Sequence, residues 1–204
     1  MLESWKLRAA SGCLSLWLMV FASLAVAHQV DNGGEEFGVS LLEISSCINL
    51  ASQQQRVDCY SKLCSQGYKC AESLIISATE ASGPKAGISV LSDLTASFAI
   101  GSDGHELAHK VGRQTAKHLG LGGEAFLSCP SDFNYGCQHG FFEQALAETD
   151  NPAAAATLVC ENLPSNLPPK DKFYCYHGVG HGVMMSAAYD LNKSLEICDS
   201  LPST

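Results

Sequence analysis

Three pairs of potential metal ligands recur in this chain at helical spacing. His105 and His109, His139 and Glu143, and His177 and His181 each stand four residues apart. On an α-helix, residues i and i+4 share a face, so each pair would offer two ligand atoms from one helix. Facing helices that project histidine and carboxylate inward are how bundles build metal sites. Imidazole suits zinc, copper, iron and nickel. His105, His109, His139, Glu143, His177 and His181 therefore form one candidate ligand pool for a transition metal, with zinc the first choice and copper or iron the alternatives. Histidines that only pack or hydrogen-bond explain any single pair equally well; three pairs in register favour the metal.

The first pair also spells His105-Glu106-Leu107-Ala108-His109, an HExxH pattern. On a helix that motif can place two histidines on zinc and a glutamate as general base. The longer form of the motif wants a third histidine where Thr115 stands, and no strand pattern precedes the helix to hold a peptide. A third ligand from His139 or His177 would still leave an open position at which Glu106 could act on bound water. Three readings follow: a metal-binding protein without catalysis, a metal-dependent hydrolase with Glu106 as base, and a helical interaction scaffold whose histidines are structural. Whether the chain is an enzyme stays open at this point. His28 would become the N-terminal residue after leader cleavage and could chelate copper through its amine and ring. Met184 and Met185 fit a core-filling face better than copper ligation. Arg113 and Lys117 read as a solvated face, and His118 as a partner of a helix C-terminus.

The elements needed to position these side chains are helices. Periodic apolar patterns cover 41–51, 54–64, 70–81, 85–100, 103–118, 135–148, 152–163 and 173–189, with a last one following Asp190. Asp103, Asn151 and Asp190 are placed as N-caps, and Pro152 suits a first helical position. Runs of alternating β-branched residues are scarce. The expected fold is all-α: disulfide-stapled helical hairpins packed as an irregular helical repeat or bundle. The repeat shows in Cys129, a loop, Cys137 and "QHGFFEQAL", echoed by Cys160, a longer loop, Cys175 and "YHGVGHGVM". A bridge across each loop would pin one helix's end to the next helix's start, which predicts Cys129–Cys137 and Cys160–Cys175. Cys47–Cys59 and Cys64–Cys70 are the other two pairings expected. Cys198 matches Cys160 in pattern but has no cysteine after it, so the domain, residues 41–204, is expected to be truncated at its C-terminus. Gly140, Gly178, Gly180 and Gly182 cost helix stability and suggest close helix approach or a ligand against the backbone.

Residues 1–27 read as a signal peptide: Lys6 and Arg8, an apolar run from Cys13 to Val26, then Ala25-Val26-Ala27 as a cleavage site. Residues 28–40 read as a flexible lead-in. The run is short for a bilayer span, which needs about 20 residues. An exported protein, periplasmic or extracellular, is expected, and its cysteine richness agrees. The whole chain carries a net charge of −9, and loss of the leader makes it more negative. That balance argues against nucleic acid or an anionic membrane as a partner; no membrane segment follows the leader. A protein or small-molecule partner is left unspecified.

The segments "HELAHKVGR", "GCQHGFFE" and "CYHGVGHGVM" resemble a family of uncharacterised secreted or periplasmic bacterial proteins rich in Cys and His. That family carries a histidine pair ahead of a glycine, then Cys-x-His-Gly-x-x-Glu, then Cys-x-His-Gly-x-Gly-His. The resemblance covers about residues 100–200 and implies further Cys-containing helices beyond Cys198. It implies no activity.

Overall fold

Helix-forming signals dominate the chain, and the structure, a computed structural model, is helical wherever it has regular structure. It describes residues 39–63, 67–97, 100 and 103–201. Residues 1–27, expected to be a signal peptide, most of the expected lead-in with His28, and Cys64 lie outside the described residues. Among the described residues there are ten helices and no strand: α1 Leu41–Ile48, α2 Gln53–Leu63, α3 Tyr68–Ser82, α4 Pro84–Ser97, α5 Gly104–Leu119, α6 Gly123–Ser128, α7 Asp132–Ala147, α8 Pro152–Glu161, α9 Pro169–Ser186 and α10 Leu191–Asp199. No described helix is long and apolar enough to cross a membrane.

The helix starts show the local chemistry. Ser40 and Glu43 form a capping box on α1, each side chain serving the other's backbone N–H. Asn151 Oδ1 accepts from Ala154 N at 3.0 Å and Asp190 Oδ1 from Lys193 N at 3.1 Å, as expected for N-caps. Asp103 occupies the position before α5, but its side chain makes no capping bond; its backbone is already helical there, which turns the carboxylate away from the first N–H groups. The short α6 has too few residues for a periodic pattern to announce it.

One apolar core runs through the helices. Leu74, Leu91, Leu94, Leu107, Phe126, Phe141, Phe142 and Leu146 are all buried within it. Arg56 on α2 forks onto Asp93 on α4 through Nε at 2.6 Å and Nη2 at 2.9 Å, which pairs a buried carboxylate as burial demands. The layer that matters for function is the succession α5, α7, α9: α5 packs most extensively on α7, and α7 on α9. Glycines set how close they come. A Cβ on Gly112 of α5 would run into the Cys137 carbonyl of α7, and one on Gly140 of α7 would run into the His109 carbonyl of α5. Gly182 of α9 would bring a Cβ within 2.6 Å of the Phe142 carbonyl. The expectation of close approach thus holds at Gly140, Gly178 and Gly182. Gly180 departs from it, with nothing within 4 Å of its would-be Cβ.

Disulfides join Cys47–Cys59, Cys129–Cys137 and Cys160–Cys175, with Cα atoms 5.5, 5.4 and 5.8 Å apart. Cys70 is also disulfide-bonded, and the partner expected for it, Cys64, lies outside the described residues. Two of these bridges tie a short helix to the long helix that follows, α6 to α7 and α8 to α9. Cys198 is a half-buried free thiol on α10.

Candidate metal centre

α5, α7 and α9 bring five histidines together. His105 and His109 come from α5, His139 from α7, and His177 and His181 from α9. Two groups of three have ligand nitrogens mutually within 4.8 Å: His105, His109 and His139, and His139, His177 and His181. His139 belongs to both. The first group is the deeper one, with His109 and His139 buried and His105 half-buried, whereas His177 and His181 are exposed.

The rings of the deeper group stand nearly at right angles to one another. Their planes meet at 71°, 73° and 77°, with centroids 4.5, 5.5 and 5.5 Å apart. Three imidazoles converging on one ion take up such an arrangement. The outer group is less ordered for chelation: His139 and His181 lie stacked, 15° from parallel and 4.0 Å apart, so their in-plane lone pairs do not converge without a rotation of His181.

The hydrogen bonds behind the rings decide which nitrogens are free. His105 Nδ1 lies 2.7 Å from the Phe133 carbonyl oxygen. His109 Nδ1 lies 2.8 Å from Glu143 Oε1. A carbonyl and an ionised carboxylate only accept, so both Nδ1 atoms carry the hydrogen, and in the neutral rings both Nε2 atoms carry a lone pair. Those two Nε2 atoms face each other at 3.0 Å. Nothing satisfies two opposed lone pairs at that distance except a proton or a metal ion between them. Ligand nitrogens about 2.0–2.1 Å from one zinc are about 2.9 Å apart at a right angle and about 3.3 Å apart at a tetrahedral one. The observed pair falls within that span.

His139 supplies the third side. Its ring is buried and neither nitrogen has a hydrogen-bond partner, a state that costs about 1–3 kcal/mol per unsatisfied group. Burial, reinforced by the surrounding histidines, pushes it down to about 3. It is therefore a neutral imidazole with an unused lone pair. His181 is also lowered, by burial of the side of its ring that packs on the cluster although the residue is exposed, and then by His177 and His109.

The carboxylate expected as a ligand is placed elsewhere. Glu143 sits behind His109, with Oε1 on Nδ1 and Oε2 on Arg113 Nη1, so both its oxygens are engaged away from the histidine nitrogens. Burial works to raise its carboxyl, but the hydrogen bond from His109 and the charge of Arg113 bring it below its ordinary value. A carboxylate–histidine pair of this kind holds the ring in orientation and raises its basicity. Glu106 is half-exposed, and its Oε1 accepts from Arg113 Nη2 at 2.8 Å. It lies outside both groups of nitrogens, tied to a cation rather than to the space between the rings.

Arg113, expected on a solvated face, is drawn into the site instead. It is one helical turn beyond His109, as a solvated residue could be, but it bridges Glu143 and Glu106 and is only 20% exposed in its side chain. Its main partner is on another helix, which spacing alone does not reveal. The second unforeseen element is backbone. Phe133, Asn134 and Tyr135 all have positive φ, at 53°, 53° and 62°, where side-chain-bearing residues cost about 1–2 kcal/mol each. This left-handed turn, enclosed by the Cys129–Cys137 disulfide, aims the Phe133 carbonyl at His105. Of the remaining side chains, Phe141 and Phe142 are fully buried, Tyr174 stacks on Tyr135 at 3.9 Å, and His118 stands 3.5 Å from Glu80. Met185 is exposed and Met184 half-buried, which makes neither a buried core filler.

Two consequences can be measured. Glu143→Gln removes the charge behind His109 without removing a ring nitrogen, so Zn2+ affinity in chelator competition is expected to fall about 10–100-fold at unchanged stoichiometry. An unchanged affinity would mean that His109 needs no orienting carboxylate. The metal-free protein should also lose stability in mild acid. Unfolded histidine titrates near 6.5, whereas folded His139 stays neutral down to about 3. Below pH 6.5 the unfolded chain therefore binds a proton that the folded one refuses. Stability is complete above that pH and falls through the window, with a slope approaching about 1.4 kcal/mol per pH unit. Urea unfolding at pH 7, 6 and 5 reads this directly, and a flat profile would contradict a buried neutral His139.

The chain matches no family model, no curated protein and no solved structure. The fold and site define it on their own terms as an all-helical, disulfide-linked protein with a histidine cluster at the junction of three helices.

Proposed function

We propose that this is an exported protein that binds a divalent transition-metal ion, zinc first among the candidates, through His105, His109 and His139. The observation that carries the reading is the pair of Nε2 lone pairs held face to face at 3.0 Å by hydrogen bonds on the opposite side of each ring. The unpartnered, buried His139 beside them supports it. Export rests on the leader pattern and agrees with the disulfides, which persist in oxidising compartments. The geometry favours binding over hydrolysis, because Glu106 is paired with Arg113 and because no strand lies beside α5 among the described residues to hold a peptide.

When bound, the ion supplies Lewis acidity and a fixed positive charge. The chain's own residues do the rest. Phe133 O and Glu143 fix the tautomers of His105 and His109, and Arg113 keeps Glu143 ionised. The test is metal content by plasma mass spectrometry on disulfide-intact protein taken from its exported compartment. About one equivalent of a single metal is expected, in keeping with a three-histidine site, and its loss in His139→Ala. Protein that neither carries a metal nor takes up added Zn2+ would end this reading.

A further inference from the structure

The five histidines exceed what one ion needs, and their arrangement is not symmetric. His105 and His109 are backed by hydrogen bonds on Nδ1 and sit inside the fold. His177 and His181 have no such backing among the described residues and stand exposed on α9. His139, 4% exposed, lies between them, its ring centroid 5.5 Å from those of His105 and His109, 5.2 Å from His177 and 4.0 Å from His181.

A neutral imidazole has one lone pair and one N–H. It can hold one ion at a time; holding two would require loss of its second proton. We propose that the cluster is two overlapping three-histidine sites that alternate through His139: an outer site with His177 and His181 that takes a divalent transition ion from solvent, and an inner site with His105 and His109 that retains it. This rests on the metal-binding reading and adds a direction to it. The outer ligands are exposed and no hydrogen bond fixes either ring among the described residues, so they meet the ion first and hold it loosely. The inner ligands are already oriented, so less ordering entropy opposes binding there and the ion is held tighter. The ion moves inward by exchanging the His177 and His181 nitrogens for those of His105 and His109; where the two triads use opposite nitrogens of His139, the ring proton passes to the nitrogen that the ion leaves.

Co2+ titration followed by visible absorption, with Zn2+ competition, tests this on the disulfide-intact protein. The wild type should saturate at about one equivalent despite two triads, because the shared imidazole is neutral. The His177→Ala/His181→Ala variant should still bind one equivalent with nearly wild-type affinity but load more slowly. The His105→Ala/His109→Ala variant should bind one equivalent more weakly and exchange it faster. His139→Ala should lose both sites, a drop beyond the roughly 100-fold that losing an orienting partner can cause. Because the inner residues are buried, His105→Gln/His109→Gln, which keeps hydrogen-bonding groups towards Phe133 and Glu143, accompanies the alanine pair, and circular dichroism checks each fold. Two equivalents in the wild type would overturn the proposal in favour of a bridged pair of ions. A folded inner-pair variant that binds nothing while the wild type binds one would overturn it too, leaving the inner site alone. No binding by the wild type would instead end the metal reading itself.

Discussion

Gly140→Ala is expected to destabilise the protein by about 3 kcal/mol, at the upper end of what an added methyl in a packed interior costs. The direction is opposite to the ordinary effect of the substitution, since alanine in a helix is favoured over glycine by about 1 kcal/mol. Gly140 has no unusual backbone angle to protect; the cost is contact. Its Cβ would overlap the carbonyl of His109 on α5, and backbone cannot swing aside as a side chain can. α5 and α7 would have to separate, and that interface is the most extensive in the fold. For a chain of this size the unfolding midpoint should drop by about 6–12 °C. The same separation carries His139 away from His105 and His109, so Co2+ affinity should fall in the folded fraction as well. Gly180→Ala is the internal control. It lies on α9 between two of the cluster histidines, with open space where the Cβ would go, and should gain up to about 1 kcal/mol. Equal effects at the two positions would mean that helix propensity, not close packing, governs both.

The contrast between these glycines marks how far sequence reading reached. Their crowding between histidines suggested close helix approach, and three of the four named positions do lie at helix crossings. Which one does not depends on the rotation of α9 about its axis, and a run of Gly-x-Gly leaves that open. Helix content and the two loop-spanning disulfides were legible because both are local: a 3.6-residue period, and a cysteine at each end of one connection. The pairs at four-residue spacing were legible for the same reason. Their convergence was expected, but the choice of His139 over His177 as the third ligand beside His105 and His109 was not legible, since it requires the crossing of α5 over α7. Glu143 had the right spacing to be a ligand, yet the structure turns it to His109 and Arg113, because a buried carboxylate takes the nearest donors and Arg113 reaches it from the neighbouring helix. The turn at Phe133, Asn134 and Tyr135 has no glycine to announce it; only Asn134 is a residue that tolerates that conformation readily. It is the tertiary frame, with the disulfide across it and His105 waiting on its carbonyl, that holds the turn there.

His139→Leu should make the metal-free protein more stable and the metal-loaded protein relatively less so. The buried imidazole leaves two polar atoms without partners, and exchanging it for an apolar side chain of similar bulk removes that penalty, a gain of about 1–3 kcal/mol. Natural cores seldom tolerate such a group without a use for it. The use would appear on adding Zn2+. A site filled at about 1,000 times its dissociation constant stabilises the folded state by about 4.1 kcal/mol, more than that gain and an increment that the leucine variant cannot collect. Urea unfolding with chelator and with Zn2+ should therefore reverse the order of wild type and variant. Acid should widen the gap in the metal-free state, because the variant lacks the histidine whose folded form stays neutral down to about 3, and its pH profile between 6.5 and 5 should flatten accordingly. A metal-free variant weaker than wild type at pH 7 would show that the ring contributes more by packing and partners than its two bare nitrogens cost. A variant still stabilised by Zn2+ as strongly as wild type would show that the ion is held without His139, and the junction of α5, α7 and α9 would lose its shared ligand.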